Sequence, residues 1–232
     1  MHKMTQASAI FQGRHNFSGL LRTLFVLMLA LGFSGCTTVK YSALEKVGIH
    51  KRDILVDRVE DARDAQQETR NTLVSAYSEL SSLIGYDGGD LEDKYQELSR
   101  AVSRSEEATE ELDERLESID RVSADLFDEW QAELAQYNSA KLRADQTTKL
   151  ELARRRYADL RNRMRTARER VDPVMLVLRD NVLFLKHSLN ARALAALRDQ
   201  ESVLQTQVDT LIRDMQRAID EANAFIANMQ AG

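Results

Sequence analysis

Cys36 is the only cysteine in the chain. No intramolecular disulfide and no cysteine-built metal cage can therefore form, and a single thiol is left in an unusual position, at the end of an apolar run. A second chemistry-bearing group is the arginine run over 154–170. Arg154, Arg161, Arg165 and Arg168 fall on one stripe of a helix, and Arg156, Arg163 and Arg170 on another. Guanidinium groups in such a row suit bidentate pairing, either with carboxylates of neighbouring helices or with phosphates of a lipid head group. A third group is Lys186, His187 and Asn190, polar residues set inside an apolar stretch, where they could fix the register of helices that meet there. No Gly-rich phosphate loop, zinc-type histidine pair or Gly-x-Ser-x-Gly elbow occurs. The expectation is of no enzyme, no catalytic residues, no cofactor and no metal.

The segment before Cys36 differs in kind from the rest. Residues 1–35 hold Lys3, Arg14 and Arg22 and no acid, then the apolar run Leu24–Phe33, then Ser34 and Gly35. A basic start, a short apolar core and small residues form an export signal. Ten apolar residues rise only about 15 Å as a helix, half of a bilayer core, so a stable membrane span is not expected. The Phe-Ser-Gly-Cys36 sequence resembles the lipobox of bacterial lipoproteins, with Phe33 in place of the usual Leu. That resemblance implies cleavage before Cys36 and acylation of its thiol. Thr37 follows where an Asp would favour inner-membrane retention in such lipoproteins, so the resemblance implies the outer membrane and its periplasmic face. The expected organisation is a signal peptide over 1–35, a lipidated cysteine and tether over 36–48, and a helical domain over 49–232.

Without the signal, Lys plus Arg falls from 32 to 29 against 37 acids, a formal charge of −8. That balance favours solubility and gives no general attraction to nucleic acid, so no nucleic-acid partner is expected.

The elements that must carry these groups are long helices. Between Asp90 and Ala231 there is no glycine and one proline, Pro173. Apolar residues recur in alternating steps of four and three. One seam runs Leu55, Val59, Ala62, Gln66, Thr69, Leu73, Ala76, Leu80, Leu83, and another runs Leu91 through Leu98, Leu112 and Leu116 to Ile119. Shorter seams cover Ala153–Val171 and Leu204–Met229. This 3.5-residue period is that of coiled-coil packing. The fold class is all-α, an elongated antiparallel coiled coil or bundle of three long helices, or four if one of them turns back.

Gly85-Tyr-Asp-Gly-Gly-Asp90 reads as a turn, and Asp172-Pro173 as the cap and first residue of a new helix. Between them lies the ambiguous place. Residues 90–133 carry sixteen acids and five bases, whereas 141–170 carry eleven bases and four acids. A turn near 138–147 would bring these opposite charges together, with Thr148 and Glu151 as a capping box. The lack of Gly and Pro favours instead one helix over 90–171, about 120 Å long, and that is the expectation.

Residues 174–197 are apolar over more than one face, which predicts self-association of the chain through them. Within and before this stretch, Phe184-Leu-Lys-His-Ser-Leu-Asn-Ala191 and Tyr41-Ser-Ala-Leu-Glu-Lys-Val-Gly-Ile-His-Lys-Arg-Asp-Ile54 resemble the two signature stretches of a proteobacterial lipoprotein family whose domain has no assigned function. The resemblance covers nearly all of the chain after Cys36. It implies an exported, helical, anchored protein and supplies no activity. What remains is a structural or adaptor module on a lipid anchor, or a binder of anionic membrane surfaces through the helix over 149–170.

Overall fold

The computed structural model describes residues 51–88 and 91–231. Cys36 and the tether over 36–48 lie outside the described residues. Five α-helices follow one another: α1 (Lys51–Ile84), α2 (Leu91–Glu133), α3 (Ala140–Glu169), α4 (Val171–His187) and α5 (Ala191–Ala231), with a single 3-10 turn at Leu134–Gln136. Among the described residues there is no strand.

The seams read from the sequence are the buried faces. All nine positions from Leu55 to Leu83 are buried, as are Leu98 to Ile119, Ala153 to Val171 and Leu204 to Phe225 along their seams. Each buried leucine contributes about 1.5–3 kcal/mol relative to exposure, so narrow seams of this length suffice for helices with charged outer faces. Polar seam residues are accommodated by backbone carbonyls. The Thr69 hydroxyl lies 2.9 Å from both the Ala65 and Ala108 carbonyl oxygens. The Ser105 and Thr109 hydroxyls donate one turn back, to Ala101 and Ser105. Gln66 is the exception: it is fully buried and neither its Oε1 nor its Nε2 has a hydrogen-bond partner in the chain.

α1 and α2 form an antiparallel hairpin around the glycine turn, where a side chain at Gly88 would run into the Tyr86 ring. The continuous helix expected over 90–171 is not formed. α2 ends at Glu133, the chain passes through the 3-10 turn, Tyr137 is extended, and α3 begins at Ala140. Two local bonds do what a glycine or proline would otherwise have done. Ser139, also extended, caps α3 by accepting from the Leu142 amide, and Arg143 donates to the Tyr137 carbonyl at 2.6 Å. A serine cap is worth about 1 kcal/mol. The favourable alignment of acidic α2 with basic α3 adds to it. The alternative capping box at Thr148 does not form either, since Thr148 sits inside α3 and bonds back to Ala144.

α3 and α4 are separated by Arg170 alone, whose backbone stays right-handed helical (φ −75°, ψ −13°). The interruption follows from Pro173, which has no N–H to offer the Glu169 carbonyl four residues back. Pro173 is thus the third residue of α4 rather than its first, and Asp172 makes no capping bond but pairs with Arg168 at 2.6 Å. A further break, at Ser188–Asn190, turns the chain into α5, where Asn190 Oδ1 accepts from the amides of Arg192 and Ala193, each at 3.1 Å.

The result is an up-down-up-down bundle of four struts: α1, α2, the α3–α4 pair, and α5. α1 packs on α2 and α5; α3 and α4 pack on the same two helices from the other side. The start of α1, the 134–139 turn and the end of α5 share one end of the bundle. The glycine turn and the Ser188–Asn190 turn share the other.

Candidate functional site: the arginine seam and the outer face of α4

The arginine stripe of α3 lies along α2. Asp120 on α2 is its centre: the carboxylate accepts from Arg161 Nε at 2.7 Å, from the Tyr157 hydroxyl at 2.6 Å, and from Arg165. One and two turns further on, Arg168 grips Asp113 with Nε and Nη2, both at 2.7 Å, while its Nη1 reaches Asp172. On α4 the pattern continues with Arg179 on Glu106. Arg154, toward the other end, donates to the Phe127 carbonyl at 3.2 Å and stands over the Phe127 ring at 5.8 Å. The second stripe turns to α5, with Arg163 on Glu221 at 3.0 Å and Arg170 on Asp214.

The spacing explains why one helix serves two neighbours. Residues at i, i+4 and i+7 stay on one side of α3, and the second set, two residues out of phase, lies on the other. Both flanks of the buried Tyr157, Leu160, Met164 and Ala167 seam are thereby zipped to acids. Tyr157 also meets Phe127 of α2 and Phe225 of α5 edge-on, with centroids 5.7 and 6.3 Å apart.

The electrostatics follow from this geometry. Burial pushes the Asp120 carboxyl up, but hydrogen bonds from Arg161, Tyr157 and Arg165 outweigh it and hold the group below the ordinary carboxylate range. Burial, then the Asp120 bond, pushes the Tyr157 hydroxyl well above its usual value. Tyr157 is thus a proton donor fixed in place. Burial would lower the Arg168 guanidinium, and its bonds to Asp113 and Asp172 more than reverse that. Such half-exposed pairs give about 0–1 kcal/mol each, so they set alignment more than they set stability.

The sequence-predicted residues fall as follows. Arg154, Arg161, Arg165 and Arg168 do lie together, but they face α2, and Arg161, Arg165 and Arg168 each hold a carboxylate. On α3 the outward cations without an ion pair are Arg155 and Arg156 among others nearer its start. Lys186, His187 and Asn190 do not form a buried register cluster within the bundle. Lys186 and His187 are exposed in the last turn of α4, where cations complement the helix dipole, and Asn190 is the cap of α5. Among the described residues, the buried polar side chains are instead Gln66, Thr69, Ser105, Thr109, Ser123 and Asn181.

The 174–197 stretch is largely covered within one chain. Val174, Met175, Leu178 and Leu185 of α4 and Ala193, Leu194 and Leu197 of α5 are buried. Leu176, Leu183 and Phe184 stay exposed at 58%, 58% and 42%, so α4 carries much of the bundle's exposed large apolar surface. Beside it a shallow dent of about 240 Å³ is lined by Arg170, Pro173, Thr206, Gln207 and Thr210. Among the described residues no group of three or more His, Cys, Asp or Glu could hold a metal ion. No described helix is long and apolar enough to cross a membrane.

Long seamed struts, flanks zipped by ion pairs and an apolar outer stripe on α4 define an all-α helical bundle. The chain belongs to the family described as "Protein of unknown function (DUF2959)", whose model matches residues 40–229. No curated protein matches it.

Proposed function

We propose that this chain is a lipid-anchored cell-envelope protein whose helical bundle acts as a structural or adaptor module at the outer membrane. The observation that carries the reading is how the arginine seam is used. Arg161, Arg165 and Arg168, which could have gripped phosphates, are committed to Asp120 and Asp113 inside the chain. Freeing them for head groups would give up these pairs and the alignment of α3 on α2 that they set, so surface binding through α3 competes with the packing of the bundle. An adaptor needs a rigid body and a surface that others can meet, and the outer face of α4 is such a surface.

Anchoring rests on the sequence around Cys36: an acid-free basic start, a short apolar run and small residues before one cysteine. Each methylene of an acyl chain buried in lipid is worth about 0.8 kcal/mol, so an acylated cysteine holds firmly. α1 begins at Lys51, next to the 134–139 turn and the end of α5. The glycine turn and the α4–α5 turn lie at the end remote from the start of α1, and α4 reaches to it.

The test has two parts. Intact mass of the membrane-associated protein should show Cys36 as an acylated N-terminus, and Cys36→Ser should leave an uncleaved or misplaced precursor. A free thiol at Cys36 in the membrane fraction would refute anchoring. Crosslinking in intact cells from a photoreactive residue at Leu183 should capture protein, whereas one at Arg155 should not. Efficient capture of lipid from Arg155 would favour the head-group reading.

A further inference from the structure

The exposed face of α4 is complementary to its own reverse. Asp172, Leu176, Asp180, Leu183 and His187 recur at steps of four, four, three and four, which places them within one narrow stripe on the solvent side of the helix. All five are exposed, and Lys186 and Phe184 flank the stripe, also exposed. Leu176 and Leu183 lie equally far from the point between Arg179 and Asp180, and so do Asp172 and His187. The stripe is acidic at its start, apolar on both sides of its middle, and basic at its end.

We propose that this face binds a second copy of the chain, α4 against α4 in antiparallel register about a two-fold axis between Arg179 and Asp180. This deepens the adaptor reading by naming the partner of its exposed surface. In that register Leu176 of each copy meets Leu183 of the other. Asp172, whose other partner is Arg168 one turn back, meets the Lys186–His187 end, and Asp180 lies near Arg179, which already holds Glu106, so the charge complementarity of the pair rests on its two ends. A two-fold contact uses one patch twice, so a self-complementary patch closes on itself and does not propagate. A parallel pairing would set Asp172 on Asp172 and Lys186 on Lys186, opposing like charges at both ends.

The size of the patch fixes the strength. Seventeen helical residues span about 25 Å, and three exposed apolar side chains fall short of the roughly 800 Å² per partner of a standard interface. The pair is therefore weak in dilute solution, and tethering both copies to one surface raises its population without any new contact.

Cysteine crosslinking in the full chain with Cys36→Ser tests the register. Leu176→Cys and Leu183→Cys replace exposed side chains, and unchanged circular dichroism would show that both fold. In the antiparallel pair, position 176 faces 183, whereas the two copies of position 176 are about 10.5 Å apart along the axis, beyond disulfide reach. Under mild oxidation at about 100 μM, a high concentration because a patch below standard size pairs weakly, each variant alone should stay largely monomeric. Their equimolar mixture should give the mixed disulfide well above its statistical share. Asp172→Lys should weaken the pair, and adding Lys186→Glu and His187→Glu should restore it. Homodisulfides equal to or above the mixed species, or no dimer in any combination with a monomeric mass by sedimentation, would overturn the proposal. Neither result would bear on acylation of Cys36, which the mass measurement reads separately.

Discussion

Gln66 offers a stability change whose sign follows from two buried atoms. Its side chain has no exposed surface, and its amide oxygen and nitrogen meet no hydrogen-bond partner in the chain. An unpaired buried polar group costs about 1–3 kcal/mol against one that is paired or hydrated. Leucine, close in size and free of polar atoms, removes that cost at a seam position flanked by Ala62, Thr69 and Leu73. Gln66→Leu should therefore stabilise the bundle by about 2 kcal/mol, a rise in Tm of roughly 4–8 °C for a domain of this size. Thr69→Val, one seam position on, should do the reverse. The Thr69 hydroxyl reaches two carbonyls, and its loss should cost about 1 kcal/mol. Urea titration followed by circular dichroism measures both, with an unchanged slope showing that only stability moved. If Gln66→Leu lowers the midpoint as Thr69→Val does, the amide has a partner that leucine lacks, and the reasoning is refuted.

Three further outcomes follow from the same geometry. Spin labels at positions 110 and 166 should lie within about 2 nm, because α3 folds back along α2, whereas one straight helix would hold them roughly 84 Å apart; a long distance in the monomer would contradict the bundle. Asp120 has a folded-state pKa below its unfolded value, so its stabilisation is present above the unfolded pKa and is lost as pH falls through the folded one. Asp120→Asn should therefore flatten the acid limb of the stability curve below about pH 4 and leave its shape near neutrality alone; an unchanged acid limb would count against the role given to Asp120. Asn190→Ala removes the acceptor for two amides at the start of α5 and should cost about 1 kcal/mol, with faster hydrogen exchange at residues 192–195; unaltered exchange there would contradict the cap.

Much of the fold is legible along the chain, and the reasons for the misses are local. Alternating steps of four and three from Leu55 to Leu83 named the buried side of α1 residue by residue, since a seam is a one-dimensional pattern. The turn after Glu133 lacks both Gly and Pro, and an extended serine cap such as Ser139 looks like any serine in a polar stretch. Its signal was non-local: an acidic α2 and a basic α3 that gain from lying side by side. The arginine stripe was legible as a stripe, but its partners were not. Asp113, Asp120, Asp214 and Glu221 are ordinary surface acids in sequence, and only the register of α3 between α2 and α5 selects them. The break before α5 hides in Ser188-Leu-Asn190, where apolar residues continue on both sides and the one mark is a capping asparagine.

The account stands on the arginine seam belonging to the bundle and not to a membrane, and one variant tests that directly. Arg154, Arg161, Arg165 and Arg168 are replaced together by Gln in residues 40–232, which lack the acylated cysteine, and thermal unfolding and co-sedimentation with anionic phosphatidylglycerol vesicles are measured side by side. The bundle account predicts a clear fall in Tm with vesicle association unchanged. An unchanged Tm with association lost would contradict it and assign the seam to a lipid surface.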